Sequence, residues 1–181
     1  MIRMLLTAAA LAAVVVSVGF VTGSASAGDR QGKGLLQTGT MAPDWTIKDA
    51  NGNAHSLSDY EGKIVVMDFW ATWCGPCIRA MPGLQKLHEK YKNDGVAIIG
   101  ISTSENDNAD PAKFMADKQF TYQLLVKGDT VANTYRVRGI PSFYVIDPSG
   151  KIVYSAVGYD PSYEEEIEKV INEELAKVKK S

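Results

Sequence analysis

Two apolar segments separated by a helical pattern constrain the fold of this chain more than any other feature. Residues 64–70 read Ile-Val-Val-Met-Asp-Phe-Trp, and residues 96–101 read Val-Ala-Ile-Ile-Gly-Ile. Apolar runs of this length are typical of strands that are covered on both faces. From residue 75 to about 92, between the two runs, core-type residues recur at spacings of four and three, which is the period of a helix. A strand, a helix and a strand in this order predict a parallel βαβ unit with a right-handed crossover.

The pattern on either side of this unit predicts an α/β domain with a mixed sheet. An Asn-Gly pair at 51–52 lies between two short extended segments and predicts an N-terminal hairpin. A second hairpin is expected around Pro148-Ser149-Gly150, so that it forms an edge of the sheet. The other predicted elements are a helix from Asp110-Pro111 to about 118, a strand at 123–126, a helix at about 129–135 and a final helix from Asp160-Pro161.

The first 27 residues have the layout of a secretory signal peptide. Arg3 is their only charge, residues 4–21 are mostly Ala, Val and Leu, and the small residues Ala-Ser-Ala suit cleavage after Ala27. An uncleaved inner-membrane anchor is the alternative, because residues 4–21 reach the ~18 apolar residues of a spanning helix. Both interpretations predict a periplasmic or otherwise extracytoplasmic domain over 42–181, joined by a flexible, Gly-rich tether at 28–41.

The charge balance excludes one large class of functions. The chain has 19 Lys and Arg against 21 Asp and Glu, a formal net charge of −2. A nucleic-acid-binding protein needs a basic surface, and neither a surplus nor a block of Lys and Arg is present. We therefore expect no nucleic-acid partner.

Cys74 and Cys77 are the only cysteines, and only two residues separate them. A bond between them closes almost no loop and adds little stability, so chemistry explains the pair better than scaffolding. They lie where the first buried strand ends and the helix begins, and free backbone N–H groups at a helix start stabilise an anion. We predict a Cys74 thiolate with a pKa lowered from ~8.5 toward ~3.5–7.5. Cys77, one turn further on, is predicted to be shielded, so that Cys74 attacks and Cys77 resolves.

Asp68 is the second candidate catalytic residue. An unpaired carboxylate inside an apolar strand is costly, and such a group holds its proton instead. A raised pKa would suit Asp68 to accept a proton from Cys77, directly or through a water molecule. The alternative is that strand alternation merely turns Asp68 outward.

Three segments carry a resemblance to the thioredoxin superfamily. They are 66–77 (Val-Met-Asp-Phe-Trp-Ala-Thr-Trp-Cys-Gly-Pro-Cys), Met81-Pro82 and 139–147 (Gly-Ile-Pro-Ser-Phe-Tyr-Val-Ile-Asp). The chain is most similar to the exported TlpA/ResA-like thiol-disulfide reductases of the redoxin (AhpC/TSA-like) grouping. The resemblance runs from about residue 42 to 177. It implies a thioredoxin fold, a central mixed β-sheet flanked by helices, with a central helix–strand insertion at 110–126.

The resemblance also implies roles for individual residues. Pro141 is expected to be cis and to pack beside the Cys74 sulfur, although propensity alone favours trans, since only ~5–6% of X-Pro bonds are cis. The Ile140 backbone is expected to pair with a substrate strand, and Asp68 matches the buried acid of thioredoxin. The expected substrate-binding residues are Trp73, Gly75, Pro76, Ile140 and Pro141.

The chain departs from the family pattern at two places. Many ResA-like reductases carry a glutamate three residues after the second cysteine, where this chain has Ala80. Segment 96–101 lacks the lysine that partners the buried acid in thioredoxin. These two differences affect the expected route of proton transfer to Asp68 and the expected choice of substrate protein.

Two rival chemistries fit the residues less well. Zinc would need Cys74 and Cys77 with His55 or His88, but His88 lies eleven residues beyond Cys77 on one helix, about 16 Å along its axis. A peroxiredoxin places a proline and a threonine seven and three residues before its reactive cysteine, where this chain has Met67 and Ala71. Dithiol exchange requires neither a metal nor an organic cofactor.

These observations predict an exported enzyme that reduces disulfides in other extracytoplasmic proteins. The Gly75-Pro76 pair is that of thioredoxin, which is strongly reducing at about −270 mV, against about −120 mV for the oxidase DsbA. The resemblance implies disulfide-containing exported proteins as substrates, apocytochrome c among them, and a membrane thiol-transfer protein as electron donor. We expect a monomer. The alternatives are a disulfide oxidase or isomerase on the same fold, and a non-enzymatic binding module whose dithiol is incidental.

Overall fold

The computed structural model describes residues 34–179, which form one seven-stranded sheet with helices on both faces. The strands are β1 (Thr46–Asp49), β2 (Ala54–Ser56), β3 (Ile64–Trp70), β4 (Val96–Ser102), β5 (Gln123–Val126), β6 (Ser142–Ile146) and β7 (Ile152–Val157). The helices are α1 (Gly75–Tyr91), α2 (Pro111–Asp117), α3 (Asp129–Thr134) and α4 (Tyr163–Val178), and a short 3-10 helix spans Leu57–Tyr60. The predicted order of elements is confirmed.

The sheet is mixed, as predicted. Its strand order is β2-β1-β5-β4-β3-β6-β7. β3 pairs in parallel with β4, and β4 with β5, whereas all other neighbours are antiparallel. The β3-α1-β4 segment is therefore the expected parallel βαβ unit. The two hairpins, β1–β2 and β6–β7, form opposite edges of the sheet.

β3 is buried along its whole length because layers of side chains cover both faces of the sheet. Successive residues of a strand point to opposite faces. Val66 and Trp70 pack with residues of α1 and α4, such as Leu84 and Ile167. The intervening residues pack on the other face, in a core that includes Tyr135 at the end of α3. Even-numbered positions of β3 therefore face α1, the helix that begins beside the two cysteines.

The predicted insertion, α2 and β5, joins the two halves of the sheet. β5 lies between β4 and β1, so it links the N-terminal hairpin to the parallel strands. α2 packs on the same face as α1, where Met115 is buried and Phe114 lies 5.7 Å from Trp70 between ring centroids. The insertion thus covers the carboxyl-terminal half of β3, close to the start of α1.

The packed structure begins before residue 42. Leu35 is only 6% exposed and lies in the core on the α3 face. The Gly39 N–H donates to the Ile152 carbonyl at 2.8 Å, and Met41 forms a β-bridge with Lys151. The expectation of a flexible tether at 28–41 is therefore corrected over residues 34–41, because an apolar side chain and backbone hydrogen bonds tie this segment to β7.

The predicted signal peptide or membrane anchor, residues 1–27, lies outside the described residues, as do residues 28–33. Between residues 34 and 179, none of the helices combines the length and the apolar character that crossing a membrane requires.

Candidate active site

The two cysteines lie at the junction between β3 and α1. β3 ends at Trp70, Cys74 is the N-cap residue of α1, and Pro76 occupies the first turn. Proline is favoured there because the N–H that it lacks would have no acceptor within the helix. Cys74 and Cys77 form a disulfide with their Cα atoms 5.2 Å apart. The junction brings both sulfurs to the start of the helix.

The first turn of α1 supplies a hydrogen-bond donor to Cys74. The backbone N–H of Cys77 donates to Cys74 Sγ over 3.2 Å. The first N–H groups of a helix have no acceptor within it, and the helix dipole favours negative charge at this end. The same geometry stabilises a thiolate at Cys74 when the disulfide is reduced.

The two sulfurs differ in their access to solvent. Cys74 retains 4% of its surface exposed, whereas Cys77 is fully buried in the core with Met81 and Leu84. Trp73, the residue before the first cysteine, is 54% exposed. An incoming disulfide therefore meets Cys74 first. The assignment of Cys74 as the attacking and Cys77 as the resolving cysteine stays a prediction.

Asp68 is buried in β3 on the face that carries the cysteines. Val66 and Trp70, two positions away on either side, belong to the same core as Cys77, so the Asp68 side chain points toward that core. Neither carboxyl oxygen has a hydrogen-bond partner among residues 34–179. Burial raises the pKa of Asp68 well above 3.8, its ordinary value. An outward-facing Asp68 is excluded, because both faces of β3 are covered.

Two tyrosines and a glycine surround Asp68. Gly100 of β4 is aligned with Asp68, and a Cβ at Gly100 would lie 3.0 Å from both Tyr122 Cε2 and Trp70 Nε1. Burial, and then the nearby charge of Asp68, raise the pKa of Tyr122 and of Tyr163. Sequence reasoning missed both tyrosines. The available signal was a glycine within a buried strand, which leaves room for a neighbouring ring.

A groove of about 740 Å³ opens beside the disulfide. Four of the five expected substrate-binding residues line it together with Cys74: Trp73, Gly75, Pro76 and Ile140. The fifth, Pro141, is buried next to the groove, and its peptide bond with Ile140 is cis. The structure therefore brings the two distant segments, 73–76 and 139–141, together at one place.

The Ile140 backbone is free to pair with another chain. Across the described range, 34–179, neither its N–H nor its C=O takes part in a hydrogen bond. The neighbouring backbone is tied down, because the Gly158 N–H donates to the Pro141 carbonyl at 2.8 Å and the Ser142 hydroxyl to the Gly139 carbonyl at 2.7 Å. A rigid segment with one unpaired residue is suited to bind an extended peptide.

Contacts from the loop after β4 hold in place the loop that leads into Cys74. Sequence reasoning missed these contacts. The Glu105 carboxylate accepts from the Thr72 N–H at 2.9 Å and from the Thr72 hydroxyl at 2.7 Å. The Trp73 indole N–H donates to the Ser104 carbonyl at 2.8 Å. Asp129, the first residue of α3, in turn accepts from the Ser104 N–H at 2.8 Å. These contacts fix Trp73 as one wall of the groove.

The position at which many ResA-like reductases carry a glutamate is filled here by apolar packing. Ala80 is fully buried, and its carbonyl accepts a hydrogen bond from the Tyr163 hydroxyl. No lysine of β4 reaches Asp68, since the aligned residue is Gly100. The buried acid of this chain is therefore surrounded by neutral aromatic groups.

Neither histidine lies with the cysteines. His55 is near Asp49, with Nε2 3.4 Å from Oδ2, and His88 is half-buried on α1, where burial lowers its pKa. Within residues 34–179, no cluster of three or more His, Cys, Asp or Glu side chains is placed to hold a metal ion.

The sheet topology and the dithiol are those of a known group of enzymes. A mixed sheet flanked by helices, with a Cys-Gly-Pro-Cys disulfide at a helix start beside a cis-proline, is the arrangement of the thioredoxin-fold thiol-disulfide oxidoreductases. The AhpC/TSA family model matches residues 38–155. The chain belongs to the AhpC/TSA family, and it is a thiol-disulfide oxidoreductase of the ResA-like kind.

Similar proteins agree with this assignment. The thiol-disulfide oxidoreductase ResA of Geobacillus kaustophilus (strain HTA426) is 36% identical over 121 residues, which are 66% of this chain and 69% of the relative. The thioredoxin-like protein YneN of Bacillus subtilis (strain 168) is 34% identical over 125 residues, 68% of this chain and 73% of the relative. A crystal structure from Chlorobium tepidum, of a protein assigned as a thiol:disulfide interchange protein DsbE, has a TM-score of 0.71 and 31% identity. That similarity covers 77% of this chain and 99% of the other.

Proposed function

We propose that this protein is an exported reductase of disulfides in other extracytoplasmic proteins. The observation that carries the proposal is the asymmetry of the dithiol. Cys74 lies at the groove and at the helix N-terminus, while Cys77 is enclosed in the core on the same face as Asp68. Cys74 can form a mixed disulfide with a substrate in the groove, and Cys77 can then attack that disulfide from the core and release the substrate.

In the first step the Cys74 thiolate attacks a sulfur of the substrate disulfide. A bond forms between Cys74 Sγ and that substrate sulfur, the substrate S–S bond breaks, and the second substrate sulfur leaves as a thiolate that takes a proton from water. The N–H groups at the start of α1 stabilise the attacking anion. The product of this step is a mixed disulfide on Cys74.

In the second step Cys77 resolves the mixed disulfide. Asp68, in its ionised form, accepts the Cys77 proton, directly or through water, and the Cys77 thiolate attacks Cys74 Sγ. The Cys74–Cys77 bond forms while the bond to the substrate breaks, and the substrate leaves with both sulfurs reduced. Two electrons have passed from the dithiol to the substrate. Because burial raises the pKa of Asp68, its carboxylate is a stronger base than an exposed one and is better suited to take the Cys77 proton.

The substrate is proposed to bind in the groove as an extended segment. The unpaired backbone of Ile140 would hydrogen-bond to it, Trp73 would flank it, and Gly75 and Pro76 would form the floor beside the sulfur. Backbone hydrogen bonds contribute affinity that does not depend on the side chains of the substrate, so this way of binding suits several substrate proteins. Pro141 holds its neighbour Ile140 in this position.

The direction of transfer and the cellular context are also part of the proposal. The Gly75-Pro76 pair favours a potential nearer to about −270 mV than to about −120 mV. An exported compartment is oxidising, so turnover needs electrons from a membrane thiol-transfer protein. The signal-peptide pattern at 1–27 supports export. The resemblance to the ResA-like reductases supports apocytochrome c as one substrate among exported disulfide proteins.

Trapping on a resolving-cysteine variant tests the proposal. Cys77→Ser should accumulate mixed disulfides with exported proteins, and Cys74→Ser, the matched control, should accumulate none because its remaining sulfur is buried. Apocytochromes among the trapped proteins would support a role in cytochrome c maturation, and many unrelated proteins would support general disulfide reduction. Equal trapping by both variants, or trapping by neither, would refute the proposed mechanism.

Equilibration with glutathione tests the direction of electron transfer. We expect a reduction potential close to that of thioredoxin. A value near −120 mV would contradict the reductase assignment and support an oxidase or isomerase on the same fold.

A further inference from the structure

Two carboxylates in the loops beside the dithiol, of which Asp129 lines the groove, already have hydrogen-bond donors. Glu105 accepts from the backbone and hydroxyl of Thr72. Asp129 Oδ1 accepts from the Thr103 hydroxyl at 3.0 Å and from the Ser104 N–H at 2.8 Å. Both side chains are therefore committed to holding the loops that frame the dithiol.

Two guanidinium groups near the same dithiol are not neutralised. Arg138 is exposed and lines the groove. Arg79 lies beside the motif, with one guanidinium nitrogen 3.8 Å from where a Cβ of Gly75 would stand, and it stacks over the ring of Tyr159, 5.3 Å from the centroid. In the region 34–179, neither arginine has a carboxylate oxygen within ion-pair distance, 4.0 Å. Among the described residues, the site thus holds two carboxylates that accept hydrogen bonds from neutral donors and two guanidinium groups that have no carboxylate partner.

Arg138 lies close enough to Ile140 to contact a side chain of a substrate bound there. It precedes Ile140 by two residues, so their Cα atoms lie at most about 7.6 Å apart, at 3.8 Å for each step. A peptide segment paired with Ile140 therefore carries its cysteine and the adjacent side chains within reach of the guanidinium. The planar guanidinium can bind a carboxylate with two parallel hydrogen bonds.

We propose that the groove selects protein segments in which an aspartate or glutamate lies within two residues of the disulfide-bonded cysteine, with Arg138 as the specificity-determining residue. This inference rests on the proposed function, since it names the class of substrate for that site. Arg79 adds positive potential on the side of the motif helix. An ion pair at such an exposed position changes kcat/KM by about two- to fivefold, and replacing the acid by lysine adds repulsion to that loss.

Charge-scanned peptides test the inference. Each peptide carries one cysteine joined by a disulfide to 2-thiopyridine, a neutral leaving group, with Asp, Asn or Lys placed in turn at the two positions on either side. The reduced Cys77→Ser protein attacks the peptide sulfur through Cys74, the peptide S–S bond breaks, and the absorbance of the released 2-thiopyridone gives the rate. Arg138→Glu is compared with Arg136→Glu, because Arg136 is an exposed arginine of the same segment that does not line the groove.

The inference predicts that the unaltered groove reacts at least about fivefold faster with Asp than with Lys at the best position. Arg138→Glu should reverse that order, and Arg136→Glu should retain it. The preference should shrink near 1 M salt, where the Debye length is about 3 Å. Equal rates for Asp and Lys at every position, or the same reversal in Arg136→Glu, would overturn the inference.

The neutral Asn peptide distinguishes a failure of the charge preference from a failure of the proposed function. If Cys74 captures the Asn peptide but shows no charge preference, the specificity inference fails and the proposed function stands. If Cys74 captures no peptide, the proposed function fails, and the inference that rests on it fails too.

Discussion

The side chains of Asp68 and Cys77 are both fully buried, and burial determines how readily each of them loses its proton. A carboxyl group without hydrogen-bond partners in an apolar core is more stable with its proton than without it. Removing a proton from a buried thiol is costly for the same reason. Because Cys77 of α1 and Asp68 of β3 lie on the same face of the sheet, a proton passed from the thiol to the Asp68 carboxylate replaces one buried negative charge by another and adds none.

Asp68→Asn should change how stability depends on pH. In the wild type the pKa of Asp68 is raised in the folded state, so its contribution is fully present below the unfolded-state value, and it is lost as the pH rises through the folded-state pKa. The asparagine side chain of the variant does not titrate. The variant should therefore gain stability relative to the wild type as the pH rises, which urea unfolding of the oxidised proteins at a series of pH values would measure. A difference in unfolding free energy that is the same at every pH would contradict the raised pKa.

The same substitution should slow the second chemical step. A positioned general base contributes about 100- to 10,000-fold to a proton transfer. Asp68→Asn should therefore delay release of the reduced substrate from the mixed disulfide by about 100-fold or more, while the initial attack by Cys74 changes much less. Stopped-flow measurement of both phases distinguishes them. Equal slowing of both phases would show that Asp68 does not act on Cys77.

At the level of elements, the contact between α1 and α4 supports the first turns of the active helix. Tyr163, the first residue of α4, donates to the Ala80 carbonyl and stacks on Phe143 of β6 with ring centroids 5.3 Å apart. Gly83 allows this approach, because a Cβ there would collide with the Tyr163 ring and hydroxyl. The helix is thereby tied to the strand that follows the cis-proline.

Gly83→Ala should destabilise the protein although alanine is the better helix former. Propensity favours alanine by about 1 kcal/mol, but overpacking costs about 1–3 kcal/mol, and the displaced ring also loses its hydrogen bond. Chemical denaturation measures the difference. In a Tyr163→Phe background the substitution should cost less, since the hydroxyl that the new methyl group meets is absent. A cost that is unchanged in that background would contradict the proposed collision.

Long apolar elements are predictable from the sequence, whereas contacts between distant elements are not. β3, α1 and β4 follow from apolar runs and helical spacing, and Asp68 stands out because it interrupts such a run. Tyr122, Glu105 and Arg138 do not stand out in the sequence, because their importance depends on loops that meet only in the folded chain.

At the scale of the whole molecule, the N-terminal segment is part of the domain. Gly and polar residues dominate 34–41 and predict flexibility, but Leu35 fills a place in the core and the backbone bonds to β7. Three apolar residues among glycine and polar ones are a weak signal in sequence, and tertiary packing decides that Leu35 enters the core.

Leu35→Ala tests this revised boundary. Deleting a buried leucine side chain costs about 2–5 kcal/mol, and the value here should lie at the lower end because the residue is at the margin of the core. Gln37→Ala, an exposed change in the same segment, should shift the unfolding free energy by less than about 0.5 kcal/mol. If the two substitutions have equal effects, the segment does not pack against the domain in solution.

Alkylation of the reduced protein as a function of pH shows whether Cys74 is a thiolate and whether Cys77 is shielded. With iodoacetamide and mass-spectrometric assignment of the modified cysteine, the account predicts that Cys74 reacts as a thiolate with a midpoint clearly below ~8.5, while Cys77 stays unmodified until the protein unfolds. A midpoint for Cys74 at the value of a free cysteine, or equal rates for the two sulfurs, would contradict it.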